Sequence, residues 1–434
     1  MFNFDTHIPV SYLERKRLKY NPMKASLSAI ICLLFLASCV GSGKRKNKQK
    51  DNQMAANITN QYGYNRDFLK RYTKILELTN KNASVIIAPA WQGRVMTSTA
   101  EGDSGHSFGW INHQLIASGE IQSHINPFGG EERLWLGPEG GQYSIFFRKG
   151  KEFIYENWQT PGFIDTEPFE LTALTDTSVF FTCETEIENY SGTLFKLGIG
   201  REVALLSAEQ IGKQTGIDTK GLACVAYISV NTIFNKGEKS WTKESGLLSI
   251  WMLGMFIPSP SVVVVIPYRP GDDKDLGVPV NDNYFGKISA DRLKVTGDHI
   301  FFRADGNSRG KIGIPPLRAK GIMGSYDHEN NFLTLLFCKL PEGKTDYVNS
   351  AWEIQKNPYS GDAFNSYNDG PLEDGSQMGP FYELETSSPG AELKPGEHLD
   401  HIQITLHITG DVKRLDLISQ KLLGVSLEEI VKAF

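Results

Sequence analysis

The sequence predicts an all-β protein, a large and mainly antiparallel β sandwich with short helices at its ends. Apolar runs of strand length recur along the 434 residues and are separated by Gly, Asn and Asp turn signals. Strands do not alternate regularly with helices, which excludes the parallel α/β folds. Neither an internal repeat nor a linker divides the region of strands. We therefore expect a single domain over residues 61–434.

The predicted elements begin with a leading helix over residues 65–78, where apolar residues recur at helical spacing. A closing helix is expected from Leu415 to Lys421. In the last strand every second residue is apolar, so that its two faces differ in polarity. The strands are predicted over residues 83–89, 179–188, 193–206, 223–230, 261–268, 294–304 (as a hairpin), 332–340, 381–385 and 401–408.

The N-terminal region has the pattern of a secretory signal. A basic start at Met23-Lys24 precedes an apolar run, and Leu36-Ala37-Ser38-Cys39 closes it with small residues before a cysteine. This tetrad resembles a bacterial lipoprotein box, in which the cysteine is lipidated and becomes the first residue of the mature chain. We expect residues 1–38 to be the signal with an upstream extension, and residues 39–60 to be a lipidated, flexible tether. The protein is then expected in the bacterial cell envelope, lipid-anchored on the periplasmic or outer-membrane face.

Composition and charge exclude several classes of function. The net charge is −5, and the basic residues cluster only at positions 44–50, which argues against nucleic-acid binding. Cys183, Cys224 and Cys338 each lie in an apolar, strand-like run, so buried free thiols are expected. No CxxC or Cys/His cluster indicates zinc, and we expect neither a metal nor a cofactor. The oligomeric state is left open.

The most informative segment is residues 357–389, a Gly- and Asp-rich run that ends in a strand-like piece. Long loops without regular structure are usually functional when they lie inside a compact domain. Amide and carboxylate groups bind hydroxyls, and flat rings cover C–H faces. The segment therefore indicates a site for a polyhydroxylated ligand. The alternative is a connection whose polar side chains satisfy only their own backbone. Its candidate binding residues are Asp362, Asn365, Tyr367 and Asp369.

Two glutamates stand near the end of this segment. Glu383 and Glu385 are two residues apart in the expected strand, so they face one side while Tyr382 and Leu384 face the other. When two such carboxylates are desolvated, one pKa rises, or the pair holds a cation. The alternative is a solvated face with two glutamates of no special role.

A second candidate segment, residues 124–142, mixes charged residues and tryptophan with five glycines. The guanidinium of Arg133 is suited to a pair of hydroxyls or a carboxylate, and Trp135 offers a stacking face. Glu139 adds a carboxylate, and Arg94 belongs to a similar run upstream. The alternative for Trp135 is packing in the core.

These segments resemble a known family. Residues 129–139, GGEERLWLGPE, are similar to the Gly-Gly-x-x-Trp-x-x-Pro-type signature of galactose-mutarotase-like supersandwich proteins. Residues 381–397 look like their late glutamate strand and the strand pair after it. Residues 231–251 look like their central turn and return strand. The resemblance covers roughly residues 82–410 and is closest to bacterial lipoproteins of unknown function in that superfamily.

The resemblance implies a supersandwich fold and a sugar ligand. In the mutarotases a glutamate acts as base on the anomeric hydroxyl and a histidine as acid on the ring oxygen. The glutamate carries over to Glu383, and less directly to Glu385. His124 matches the substrate-binding histidine of the family. The return strand ends at Trp251 and has no histidine where the family places its acid. The resemblance thus implies an epimerase-like pocket with an incomplete acid–base pair, whose catalytic candidates are Glu383 and His124.

The leading functional hypothesis is a lipid-anchored carbohydrate-binding protein. The first alternative is a glycoside hydrolase or lyase, which needs carboxylates on both sides of the bond, about 5 Å or about 6.5–9.5 Å apart. The second is a structural lipoprotein without catalysis. We expect Arg133 and Trp135 to share one pocket with residues 362–369. The full predicted binding set is Arg94, Arg133, Trp135, Glu139, Asp362, Asn365, Tyr367, Asp369 and Glu385.

Lipidation at Cys39 is directly testable. In the producing bacterium, Cys39→Ala is expected to yield an unprocessed or mislocalised precursor that takes up no palmitate, because the acceptor thiol is gone. Metabolic labelling followed by membrane fractionation measures this. Equal labelling of the variant and the unmodified protein contradicts the prediction.

Overall fold

The computed structural model of the protein describes residues 59–434, and β strands dominate it, as predicted. Within these residues, six α-helices, α1–α6, are Tyr62–Tyr72, His113–Ser118, Ala208–Thr215, Asp273–Leu276, Val412–Leu422 and Leu427–Val431. Three 3₁₀ turns are Pro89–Trp91, Tyr155–Asn157 and Gly162–Ile164. Strands β1–β18 are Leu76–Asn80, Ala83–Ala88, Arg94–Thr99, Arg133–Gly137, Glu170–Leu174, Ser178–Glu188, Leu194–Leu205, Ala223–Asn235, Ser249–Phe256, Val262–Pro267, Leu293–Val295, His299–Arg303, Gly310–Ile314, Ile322–Asp327, Phe332–Cys338, Phe364–Asn368, Tyr382–Ser387 and His398–Thr409.

The strands form three antiparallel sheets. The largest has ten strands in the order β11-β12-β10-β14-β15-β18-β8-β7-β6-β5. A five-stranded sheet in the order β13-β16-β17-β9-β4 packs against it, and β1-β2-β3 form the third sheet. One apolar core joins side chains from both larger sheets, among them Val264, Leu336, Phe364 and Leu384. The predicted all-β sandwich, mainly antiparallel, is thus confirmed.

Several predicted elements need correction. The leading helix ends at Tyr72, because Thr73 has extended backbone angles, and Leu76–Asn80 pairs with β2 as a strand. Helices also occur away from the ends of the domain. The connection between β7 and β8 holds α3, which starts at Ser207 with a capping box. Residues 357–389 are not one loop. They contain β16, whose polar residues pair between β13 and β17 in the interior of a sheet.

The polar face of β18 points into the sandwich. The isoleucines and Leu406 of its apolar face pack in a cluster with Leu415 and Ile430, so that α5 and α6 cover this face. On the opposite face, His401 and Gln403 bond to Thr386 of the five-stranded sheet. The alternation in the sequence predicted two faces of different polarity, and the helices determine that the polar one lies inside.

A buried polar network crosses the sandwich at Glu132. One carboxylate oxygen accepts a hydrogen bond from Nη2 of Arg201 at 2.9 Å. The other accepts from Oγ of Ser229 at 3.0 Å and from Nε2 of Gln403 at 2.8 Å. Arg201 also donates to the side chain of Asn231. Both charged side chains of the pair are fully buried. A buried charge needs such partners, because desolvation without them costs several kcal/mol.

The described region has three free cysteines. Cys183, Cys224 and Cys338 are free; Cys338 is buried, while the other two are half-buried. Burial raises the pKa of Cys338 to about 12, which keeps this thiol protonated.

Within residues 59–434, no helix is both long and apolar enough to cross a membrane. The predicted signal and the tether up to residue 58, including Cys39, lie outside the described residues.

The network at Glu132 generates a stability prediction. Arg201→Met is expected to lower the free energy of unfolding by about 3–5 kcal/mol, because it leaves a buried carboxylate without its cation. Denaturant unfolding measures the loss, and the double variant Arg201→Met/Glu132→Gln is expected to recover part of it. Lys196→Met is the control, since Lys196 pairs with Glu186 where both side chains are more than half exposed; it is expected to cost about 1 kcal/mol at most. An Arg201→Met variant as stable as this control contradicts the prediction.

Candidate functional site

One face of the five-stranded sheet gathers most of the predicted site residues. Residues paired across antiparallel strands project to the same side of a sheet. Arg133, Leu253, Glu385, Asn365 and Gly313 form one such row across the five strands. On one side of this row lies a second row, formed by Met255, Glu383, Tyr367 and Lys311. On its other side Trp135 pairs with Trp251. We call this surface the front face.

Glu383 is held by Arg133 on the front face. Nη2 of Arg133 donates a hydrogen bond of 2.7 Å to the Glu383 carboxylate, and the two side chains are only 5% and 6% exposed. The guanidinium carbon of Arg133 lies 4.5 Å from the centre of the Trp135 ring. Burial raises the pKa of Glu383 to about 7, although the charge of Arg133 opposes the shift. Burial thus favours the protonated form of this carboxyl more than water does.

Glu385 has a different set of partners. Its Oε2 accepts hydrogen bonds from Nε1 of Trp251 at 2.8 Å and from Nζ of Lys311 at 2.9 Å. Lys311 also lies 4.7 Å from the centre of the Trp251 ring. The side chain of Glu385 is fully buried. Glu385 is thus fixed by one cation and one indole, and its Oε1 stays free for another donor.

Asp362 and Asn365 hold a segment that covers part of the front face. Nδ2 of Asn281 donates to both oxygens of Asp362, at 2.8 and 3.0 Å, and the Tyr284 hydroxyl donates to the same carboxylate. The side-chain amide of Asn365 donates to the Tyr284 hydroxyl at 3.1 Å. Burial raises the pKa of Asp362 to about 6, while these hydrogen bonds oppose the shift. We call residues 277–289 the cover segment.

The cover segment also packs over Tyr367. The ring of Phe285 lies 5.9 Å from that of Tyr367, and the guanidinium carbon of Arg309 is 4.0 Å from the centre of the Phe285 ring. Phe285 is 49% exposed, so its outer side contacts solvent. Glycines with positive φ, Gly277 at +77° and Gly286 at +97°, allow the sharp bends on each side of the two aromatic residues.

Three buried polar atoms of the front-face residues have no hydrogen-bond partner among residues 59–434. They are Nε of Arg133, Nε1 of Trp135 and Oε1 of Glu385. Buried polar atoms in folded proteins are nearly always paired, and exceptions require a specific reason. Two free donors and one free acceptor on the same face of one sheet are the complement of a ligand that carries several hydroxyl groups.

The remaining predicted residues fall into two groups. Glu139 interacts electrostatically with Lys311 and Glu385, so it belongs to the front-face cluster, and burial raises its pKa. Asp369 accepts hydrogen bonds from the Tyr367 hydroxyl at 2.5 Å and from the backbone of Gly379 at 3.0 Å. Asp369 therefore stabilises the turn after β16, as the alternative interpretation of this segment predicted.

Arg94 and His124 make their contacts elsewhere. Arg94 is buried, donates to the Gly129 carbonyl at 3.1 Å and lies beside Phe128. Burial lowers its pKa to about 9. Nδ1 of His124 bonds to the backbone carbonyl of Trp158 at 2.6 Å, and the His124 ring packs on Tyr155. Neither of these His124 contacts involves a carboxylate of the front face.

Sequence reasoning missed the residues that complete the front face, Lys311, Tyr284 and Asn281. A signal for Lys311 was present, since it is the one charged residue of the short strand GKIGI. The sequence marks Trp251 only as the position without a histidine, and the structure shows it as a donor to Glu385. Within the described part of the chain, no group of three or more His, Cys, Asp or Glu side chains is arranged to hold a metal ion.

Solved structures with a similar arrangement of strands include three bacterial proteins. A putative aldose 1-epimerase from Escherichia coli K12 is 10% identical, with 78% of this chain and 99% of that chain covered and a TM-score of 0.44. A galactose mutarotase-like protein from Lactobacillus casei is 12% identical, with 77% and 99% covered and a TM-score of 0.46. A putative mutarotase from Salmonella typhimurium is 12% identical, with 78% and 94% covered and a TM-score of 0.44.

The sequence comparisons define the family. No curated protein matches the sequence significantly. One family model matches residues 60–434, nearly the whole of the described region, and it is described as a family of unknown function, DUF6786. The chain belongs to this family.

Proposed function

We propose that the protein binds a carbohydrate at the front face of the five-stranded sheet. The observation that carries the proposal is the group of unpaired, buried polar atoms on Arg133, Trp135 and Glu385. Hydroxyl groups of a sugar both donate and accept, so they are partners of the right kind for all three atoms. The indoles of Trp135 and Trp251 lie edge to face, 5.6 Å apart, and both are packed in the core, as the alternative interpretation of Trp135 predicted.

The charges of the site favour a neutral sugar. Arg133 is already paired with Glu383, and Lys311 with Glu385. An anionic sugar would compete with these carboxylates for the same cations, and a cationic sugar would compete with the cations. Hydroxyl groups need only the free donor and acceptor positions, which makes a neutral, polyhydroxylated ring the ligand of lowest desolvation cost.

Binding requires movement of the cover segment. Glu383 and Glu385 are almost completely buried, and Tyr284 is held over this region by Asp362 and Asn365. The backbones of Asn281 and Gly313 also exchange two hydrogen bonds, both of 2.8 Å. Because hydrogen bonds to a carboxylate such as Asp362 contribute about 1.5–3 kcal/mol each, opening the segment costs several kcal/mol, which sugar binding beside the two glutamates must supply.

The proposed location is the bacterial cell envelope. It rests on the Leu-Ala-Ser-Cys tetrad at Cys39 and on the basic run after it. A lipid anchor with a flexible tether would hold the sugar-binding domain near the membrane surface, with access to soluble glycans.

The indole nitrogen of Trp135 offers the most selective test of binding. Trp135→Phe keeps an aromatic ring and removes one free donor, so the affinity for a neutral monosaccharide is expected to fall by about 1–3 kcal/mol, or roughly 5- to 150-fold. Titration calorimetry against a panel of neutral monosaccharides measures it. Trp241→Phe, in the core beside Phe195, is the control for the loss of ring size and is expected to bind normally. If no sugar of the panel binds the unmodified protein, the structural-lipoprotein alternative is favoured instead.

Lys311 supports a second candidate function, the ring-opening isomerisation of a sugar. Its Nζ lies 2.9 Å from Glu385, whose Oε1 is free. A base that takes the proton of the anomeric hydroxyl, and an acid that protonates the ring oxygen, together break the bond between C1 and that oxygen. Glu385 would be the base, and Lys311 would replace the histidine that is missing at Trp251.

Polarimetry separates binding from isomerisation. If Lys311 is the acid, the protein accelerates the mutarotation of a sugar that it binds, and Lys311→Met removes this acceleration at least 100-fold, within the usual range for acid–base groups. Lys236→Met is the control, because Lys236 is partly exposed and lies on the side of the ten-stranded sheet. This variant is expected to retain activity. A rate equal to that of buffer excludes the isomerase and leaves the binding function. Release of sugar from a glycan would instead favour the hydrolase or lyase alternative.

A further inference from the structure

A cavity of about 390 Å³ lies on the side of β17 opposite to the front face. Tyr382 lines it, and Tyr382 projects away from Glu383 because neighbouring residues of a strand face opposite sides. Phe256 of β9 lines it from the same sheet. The ten-stranded sheet contributes Ser325, Thr334 and His407, and the segments 104–108 and 257–260 complete the wall. The cavity therefore lies between the two larger sheets.

Aromatic rings form one continuous wall of the cavity. The His407 ring stacks on Phe108 with centres 4.0 Å apart and planes within 3° of parallel. Phe108 meets Phe332 edge to face at 5.2 Å, and His106 packs on Phe332 at 4.4 Å. Phe256 meets His407 at 5.6 Å. A wall of this kind covers the apolar face of a ring-shaped ligand.

Polar groups lie beside this wall. Thr334 bonds Nδ1 of His407, and Ser325 bonds the Tyr382 hydroxyl, both at 2.8 Å, so these residues are held in place. His106 makes no side-chain hydrogen bond to another residue of the described region, and burial lowers its pKa to about 4. At neutral pH its imidazole is uncharged, with one nitrogen that donates and one that accepts.

The charges of the lining exclude several ligands. Asp327 is the one carboxylate among the described residues that line the cavity, and no lysine or arginine is among them. Asp327 is already bonded to Ser261 at 2.6 Å and Asn330 at 2.7 Å. A phosphorylated or carboxylated ligand would find no cation here. The volume is within the range of about 300–1,000 Å³ that is usual for small-molecule sites.

We propose that this cavity is a second ligand site, which takes a neutral hydroxylated ring such as a monosaccharide or a cyclitol. The aromatic wall covers the ring face, and the free imidazole of His106 bonds its hydroxyl groups. The proposal does not depend on sugar binding at the front face, since the two sites lie on opposite faces of β17 and share no lining side chain named above. Tyr382 and Glu383 are adjacent on β17. A ligand at either site therefore contacts the strand that also carries a residue of the other site.

The test uses the protein with its front face altered. D-glucose, D-galactose, D-mannose and myo-inositol are titrated into Glu385→Gln and followed by ligand-observed NMR and calorimetry. At least one probe is expected to bind with a stoichiometry of one. Adding His106→Ala is expected to weaken this binding at least tenfold, while adding His398→Ala, a histidine that is about half exposed, leaves it unchanged. His106→Phe keeps the aromatic wall and removes the nitrogens, so it is expected to act like His106→Ala and gives a second variant if the alanine protein is unstable.

Two results would overturn the proposal. One is that none of the four probes binds to Glu385→Gln protein. The other is that both folded His106 variants bind as tightly as their parent. Failure of the proposed function at the front face would give a different result. Trp135→Phe and Glu385→Gln would then leave all sugar binding intact. A crystal soaked with the bound probe separates the sites directly, with density expected beside His106 and Phe332.

Discussion

The buried carboxylate of Glu132 is the interaction on which the rest of the architecture depends. Its backbone pairs with Val95 of the three-stranded sheet, and the chain leads directly into β4 of the five-stranded sheet. Its side chain binds Arg201, Ser229 and Gln403 of the ten-stranded sheet. One residue thus connects all three sheets. Since a buried charge tolerates few alternative arrangements, this network restricts how the sheets pack on each other.

Strand β17 connects this network with both proposed sites. Thr386 bonds to His401 and Gln403 inside the sandwich, so the strand has a defined position against β18. Alternation then places Glu383 and Glu385 on the front face and Tyr382 in the inter-sheet cavity. A shift of the register by one residue would exchange these roles and bury the glutamates in the apolar core. The position of the candidate acid and base therefore depends on the polar contacts behind them.

The front face combines internal charge compensation with unpaired donors and an unpaired acceptor. Two cation–carboxylate pairs, Arg133 with Glu383 and Lys311 with Glu385, compensate the charges of these four side chains without a ligand. The pKa of Glu383, raised to about 7, shows that burial outweighs the charge of Arg133. Such an arrangement suits a ligand that brings hydroxyl groups and no charge.

The sequence by itself determined the β class, most strand positions and the common face of Glu383 and Glu385, because these follow from local periodicity and turn chemistry. It also pointed to Arg133 and Trp135, whose residue types indicate polar recognition. Only the tertiary structure decided that the polar face of β18 lies inside, that residues 364–368 form an interior strand, and that Lys311 lies beside Glu385. These features arise from pairing between strands far apart in the chain. Local sequence carries no record of which distant strand supplies the partner.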